Sequence, residues 1–163
     1  AKAAGVRVVP GSKVTGFRAS GGAVDSVQLA TAGGDRDFVA DAFVLATGGF
    51  ESGALTADSY HNVHESVFDL PLRRPEGHLV HGDYWGDPQP LFTIGVEVDE
   101  QMLVRHPGGD PVYTNLYAAG GILAGATRWQ EKSGEGIAVA SAVRAADSIL
   151  AAAATATDQG AAS

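Results

Sequence analysis

Two short apolar runs in this chain each end in a pair of glycines. Phe43-Val44-Leu45-Ala46 stops at Thr47-Gly48-Gly49, and Leu116-Tyr117-Ala118-Ala119 stops at Gly120-Gly121. A strand that is apolar at every position, rather than at alternate ones, reads as buried on both faces, as in a parallel sheet. Glycine at its carboxyl end lets a ligand reach the main chain with no Cβ in the way, and open α/β sheets bind ligands at that end. The pairs therefore predict an α/β chain built on part of a dinucleotide-binding (Rossmann-like) sheet. Either pair alone would serve equally well as a tight turn.

A third glycine cluster, Ser133-Gly134-Glu135-Gly136-Ile137, opens a segment in which Ile137, Val139, Ala140, Val143, Ala146, Ile149 and Leu150 recur at helical spacing. Ser133 is placed to cap that helix and Glu135 to favour its first turn. The unpaired N–H groups of such a terminus suit a phosphate or an electron-rich carbonyl oxygen. The helix is expected to fade over residues 151–156 and to leave 156–163 as a disordered tail. Ser141, Arg144, Asp147 and Ser148 interrupt its apolar run, which argues for a protein-bound helix and against a membrane span.

The remaining sequence sorts around these landmarks. Ala1 to Gly5 reads as the final helical turn of a longer polypeptide with a glycine cap, and Val6 to Val9 as a short strand before the Pro10-Gly11 turn. Alternating segments at 13–18, 23–29 and 37–40, separated by Gly21-Gly22 and Gly33-Gly34, predict an antiparallel β-meander. Residues 51–95 hold no sustained period and concentrate histidine, proline and aromatic residues, which predicts an irregular α+β cap insert with short strands. Gly95 to Glu100 and Met102 to Val104 read as a strand and its return. The expected organisation is 1–50 and 96–155 as one α/β domain, interrupted by the insert 51–95.

Composition narrows the function. The 163 residues carry a net charge of −8 with 11 Lys and Arg, and no basic cluster larger than Arg73-Arg74, so a nucleic-acid surface has no footprint. With no cysteine, the chain has no disulfide, thiolate zinc site, thiol nucleophile or cysteine-ligated cluster of its own. His61, His64 and Glu65, or His78, His81 and Asp83, read as surface or cap residues, because along a strand residues three apart face opposite sides. No metal site is expected. Arg73, Arg74, Arg105 and Arg128 are candidates to clamp an anion, with Arg128 preferred because it lies between the second glycine pair and the helix. Trp129 beside it could wall a cofactor. Ser52, Ser66 and Ser133 have no base at a recognisable spacing, and no hydrolase triad is predicted.

Meander, Ala42-Phe43-Val44-Leu45-Ala46-Thr47-Gly48-Gly49-Phe50, insert, Gly95-Val96-Glu97-Val98-Asp99-Glu100, Asn115-Leu116-Tyr117-Ala118-Ala119-Gly120 and a glycine-led final helix follow one another in this order. That order resembles the back half of two-dinucleotide-binding-type flavoproteins of the fumarate reductase and succinate dehydrogenase class. More narrowly, Gly82-Asp83-Tyr84-Trp85, Pro88-Gln89-Pro90 and the run Ser133 to Ala142 resemble the B-subunit family of anaerobic glycerol-3-phosphate dehydrogenases. The resemblance implies a flavin, FMN or FAD, with Thr47, Gly48 and Gly49 beside its nucleotide end and Gly120 and Gly121 along the ribityl chain. It also implies main-chain donors at Gly134, Gly136 and Ile137 facing the pyrimidine carbonyl. FAD-binding relatives usually carry an acid where this chain has Gly121, which leaves FMN and FAD both open. No Gly-x-Gly-x-x-Gly follows a first strand, so the other half of the site would lie outside these residues, and the stretch alone would be inactive and hold little flavin.

The activity so implied is electron relay in the oxidation of sn-glycerol 3-phosphate to dihydroxyacetone phosphate with quinone as final acceptor. The implied partners are a catalytic flavoprotein subunit and an iron–sulfur membrane-anchoring subunit. The expected location is cytoplasmic, peripheral to the inner face of the membrane. Two rivals stand beside it: a self-contained fumarate reductase-like flavoenzyme with the insert as substrate cap, and a scaffold that keeps the fold without cofactor. No catalytic residue is assigned.

Overall fold

Gly21 and Gly22 take φ of +55° and +80°, the left-handed pair that a two-residue hairpin turn requires. They fold Lys13–Ser20 (β1) back onto Ala23–Thr31 (β2), and a second turn brings Gly34–Val39 (β3) against β2. The result is the expected three-stranded antiparallel meander, with β3 beginning three residues earlier than its alternation suggests. The computed structural model describes residues 2–83, 86–127 and 132–160. Val6 to Val9 belong to no strand, and Val6 and Val8 are exposed. Their β-branched side chains favour extension, but among the described residues no neighbouring strand supplies a ladder.

The two apolar runs form Phe43–Leu45 (β4) and, after the insert, Leu116–Ala118 (the tenth strand, β10). They pair in parallel, Leu116 with Phe43 and Ala118 with Leu45. This is the partly parallel sheet that the glycine-ended runs imply. Ladder ends are completed by Phe43 N–H donating to Asn115 O and Ala119 N–H donating to Leu45 O, both at 2.9 Å. Burial is uneven. β10 is buried throughout, whereas Val44 of β4 is 45% exposed. The expectation that β4 is covered on both faces is therefore corrected: among the described residues only β10 pairs with it.

Asn115 joins this pair to the meander. Its Oδ1 accepts from Val24 N–H at 2.8 Å, and its Nδ2 donates to Val24 O and Asp41 O at 2.8 and 3.2 Å. One amide thus replaces a missing ladder between β2 and the start of β10.

Within the insert, Leu55–Ala57 (β5) and Val63–Glu65 (β6) form a hairpin whose turn is organised by Asp58. Hydrogen bonds from the Asn62 side chain and backbone, and from Tyr60 N–H, hold the Asp58 carboxyl below its ordinary value. Glu65 is buried, and its carboxylate accepts from the N–H groups of Val67 and Phe68 at 2.9 and 2.7 Å. Leu72–Arg73 (β7), Gly95–Val98 (β8) and Val104–Arg105 (β9) make a third antiparallel sheet. Leu55, Phe68 and Leu70 of the insert share one core with Val24, Leu45, Val96, Val104, Leu116 and Ile122. The insert is packed into the domain, with each such side chain contributing about 1.5–3 kcal/mol by burial.

Gly134–Gly160 is a single helix (α1). It runs past the expected end, through residues 156–160, because alanine carries the highest helix propensity and nothing in 151–160 breaks the run. Its inner face is narrow: Ser141 and Ala145 are buried, whereas Val139, Val143 and Leu150 are exposed. By length and composition α1 could cross a membrane, and only 11% of its apolar window is buried. In the fold it lies against the body, with Arg144 Nε donating to Glu100 O at 2.8 Å.

β8 crosses the segment after the second glycine pair at backbone contact. A Cβ on Gly95 would stand 2.5 Å from Ile122 O and 2.6 Å from Ala124 N. Gly95→Ala is expected to lower unfolding free energy by about 3 kcal/mol through overpacking against main chain that cannot yield. The urea midpoint of the complete protein measures it, and a change below about 0.5 kcal/mol would show that the crossing relaxes freely.

Candidate functional site

The first glycine pair follows β4 directly. Gly48 takes φ of +85°, and a Cβ there would meet Ser52 Oγ at 2.6 Å. Ser52 lies in the 3-10 turn Phe50–Ser52, and its hydroxyl is 2.6 Å from Thr47 O and 2.9 Å from Gly49 O. Gly49 O also accepts from the N–H groups of Ala54 and Leu55 at 3.1 and 3.3 Å. The turn is thus a rigid backbone surface, with Gly49 buried and Thr47 exposed.

The second pair follows β10. Gly120 takes φ of +76° and donates its N–H to Ser141 Oγ at 2.8 Å, and Ser141 Oγ lies 2.5 Å from Ile137 O one turn back in α1. This bond ties the glycine turn to the second turn of the helix. Beyond it, Ala124 N–H donates to Val96 O and Gly125 N–H to Thr93 O, both at 2.9 Å.

These constraints bring the glycine pairs together. Gly49, Phe50, Glu51, Leu55, Phe92, Ile94, Gly121 and Ala126 line one cleft. Its free volume is about 10 Å³, room for one water. The lining is main chain, apolar side chains and the acidic Glu51, with no cation among the described residues. Such a surface suits a flat or extended neutral part of a ligand and leaves a pyrophosphate to be held elsewhere. Gly49 and Gly121 thus bring bare main chain to the same small cleft.

The other predicted residues fall nearby or outside. Thr47, Gly48 and Gly120 belong to the two turns without lining the cleft. Gly134, Gly136 and Ile137 open α1, where Ile137 N–H donates to Ser133 O at 2.8 Å and the preceding N–H groups have no intrahelical acceptor. They join the site through Ser141 and do not line the cleft. Arg128 and Trp129 lie outside the described residues. Of the remaining arginines, Arg74 donates to His61 O at 2.6 Å and Arg105 to Gly109 O at 2.7 Å, so both brace loops. His61 sits in the hairpin turn with φ of +63°, and His64 approaches Asp69 at 3.7 Å. Sequence reasoning missed Phe92, Ile94 and Ser141. Only the register of Ser141 on the inner face of α1 could have signalled one of them.

Residues 1–137 match the FAD binding domain family, so this α/β chain belongs to that class of flavoprotein domain. The chain is similar to the B subunit of anaerobic glycerol-3-phosphate dehydrogenase of Haemophilus influenzae strain PittEE, 34% identical over 125 residues, covering 72% of this chain and 28% of the relative. It is also similar to the probable B subunit of anaerobic glycerol-3-phosphate dehydrogenase of Halobacterium salinarum, 31% identical over 141 residues, covering 85% of this chain and 33% of the relative. The chain thus spans about a third of the length of these relatives. No solved structure matches it.

Ser141→Ala would leave the buried Gly120 N–H without its acceptor. The expected cost is about 1–3 kcal/mol of stability, read from denaturant unfolding of the complete protein, with Ser141→Thr retaining most of it. Equal stability of Ser141→Ala and the native protein would mean that the helix does not hold the glycine turn.

Proposed function

We propose that this chain forms the carboxyl-terminal side of the flavin site in the B subunit of an anaerobic glycerol-3-phosphate dehydrogenase. The observation that carries the reading is the convergence of Gly49 and Gly121 on one cleft in a chain of the FAD binding domain family. That family favours FAD over FMN.

When bound, the flavin would accept and release two electrons. The chain's own residues act by positioning: Gly48, Gly49, Gly120 and Gly121 offer main chain at close range, and Phe50, Leu55 and Ile94 keep that side dry. The N–H groups at Gly134 and Gly136, with the partial positive charge of the helix start, would favour electron density on a nearby carbonyl oxygen. Oxidising sn-glycerol 3-phosphate to dihydroxyacetone phosphate removes two electrons and two protons from the secondary alcohol. Among the described residues Glu51 is the one titratable side chain lining the cleft, and the role proposed here is electron relay, with substrate oxidation on a catalytic flavoprotein subunit. An iron–sulfur subunit would carry the electrons to quinone, at the cytoplasmic face of the membrane.

The visible absorption spectrum of the complete purified protein tests this. Flavin bands are expected, with FAD released on denaturation, and they should bleach when sn-glycerol 3-phosphate is added anaerobically with the partner subunits. Bleaching by succinate without partners would favour the self-contained fumarate reductase-like enzyme. A colourless protein that takes up neither FAD nor FMN would leave the cofactor-free scaffold.

A further inference from the structure

α1 carries apolar side chains on two opposite faces. Ser141 and Ala145 are buried against the body of the domain. Val139, Val143, Ala146 and Leu150 follow one another at steps of four, three and four, which puts them in one stripe of the helix. Ser141 and Ala145 lie two positions beyond Val139 and Val143, roughly 200° round the axis, so the stripe looks away from the body. It is open to water: Val139 is 64% exposed, Val143 55% and Leu150 67%, and Ala146 is exposed as well. A helix at a protein surface needs one apolar face, whereas a helix apolar on opposite sides is suited to lie between two layers.

β4 shows the same want of a neighbour. It is a parallel strand, of the kind ordinarily covered on both faces, yet Val44 is 45% exposed and β10 is its one partner among the described residues. A parallel neighbour for β4 would arrive on a crossover of about a dozen residues or more, usually a helix. One length of polypeptide can therefore cover both β4 and α1. Lipid is a poor cover for the stripe. Arg144 is the one cation between Gly134 and Gly160, against Glu135, Asp147 and Asp158, whereas helices that lie on anionic membranes are rich in Lys and Arg. The relatives point to a nearer source. The matched stretch is 33% of one relative and 28% of the other, so about two thirds of a polypeptide of that length lies outside these residues.

We infer that the outer stripe of α1 is an internal packing face, on which a segment of the same polypeptide outside these residues lays an apolar face of its own. That segment rests on Val139, Val143, Ala146 and Leu150, and α1 becomes a middle layer of the complete protein. The stripe and the relatives' length carry this, and it holds with or without bound flavin.

The test is thiol labelling of the complete protein carrying Val143→Cys or Leu150→Cys, each first shown to melt as the native protein does. The native protein labelled in parallel gives the background, since these 163 residues hold no cysteine. Both thiols are expected to react with a maleimide roughly tenfold more slowly than in urea-unfolded protein. The rate should not change on dilution, and neither partner subunits nor lipid should be needed for the protection. Labelling at close to the unfolded rate overturns the inference, because the stripe then stands in water. Protection that disappears on dilution overturns it in favour of a second copy of the protein. Protection that appears only with partner subunits, or only with phosphatidylglycerol vesicles, overturns it in favour of those covers. Where one variant melts well below the native protein, the other is read, with Val139→Cys as a third position on the same stripe.

Discussion

The contact on which the site depends is one of backbone on backbone, where β8 passes over residues 122–124. Val96 bridges to Leu123 in parallel, Ala124 N–H donates to Val96 O, and only the absent side chain of Gly95 allows the approach. This places Ile94 and Phe92 opposite the end of β10. Without it, the insert would still fold its own hairpin, but its last residues would have no fixed position relative to Gly121. Side-chain packing alone would tolerate drift of an ångström or so. A main-chain crossing with two neighbouring hydrogen bonds does not, because each buried N–H left unpaired would cost about 1–3 kcal/mol.

The same economy recurs where the meander meets the parallel pair. β4 and β10 share three residue pairs, too few to orient a sheet against a separate three-stranded one. Asn115 supplies the orientation by bonding both backbone groups of Val24 and the carbonyl of Asp41. Phe17 extends the join on the apolar side, with its ring 4.8 Å from Phe68 and 6.0 Å from Tyr113. The meander, the insert and the strand leading to Gly120 are thereby locked at three aromatic side chains and one amide. The glycine turns gain their rigidity from these remote joins as much as from local hydrogen bonds.

Much of this is legible in the residues and some is not. Turn glycines and alternation identify the meander, since each is a local property of a few residues. The apolar runs identify β4 and β10 as strands suited to a parallel sheet, but not that the two pair with each other. Val44 shows the limit: its side chain is apolar, but burial depends on a neighbour that its own sequence does not specify. Val6 to Val9 shows the same limit for pairing. The end of α1 lies beyond its expected place because the helix propensity of the alanines outweighs the polar residues that follow them. Phe92 and Ile94 reach the cleft through the crossing at Gly95 of chain segments about thirty residues apart, and no periodicity encodes such an encounter.

What the cleft can do chemically follows from what lines it. Glycine main chain and hydrocarbon create a region of low dielectric in which a bound ring loses water on one side, and every fixed dipole nearby acts on it more strongly. The dipoles available are those of α1, coupled to the cleft through the Ser141 bond to Gly120. Histidines 61, 64, 78 and 81 lie in the insert at positions that do not line the cleft, and Glu51 is the one titratable side chain among the described residues that does. Main chain and hydrocarbon beside a single carboxylate make a lining that excludes water from one side of whatever packs on it.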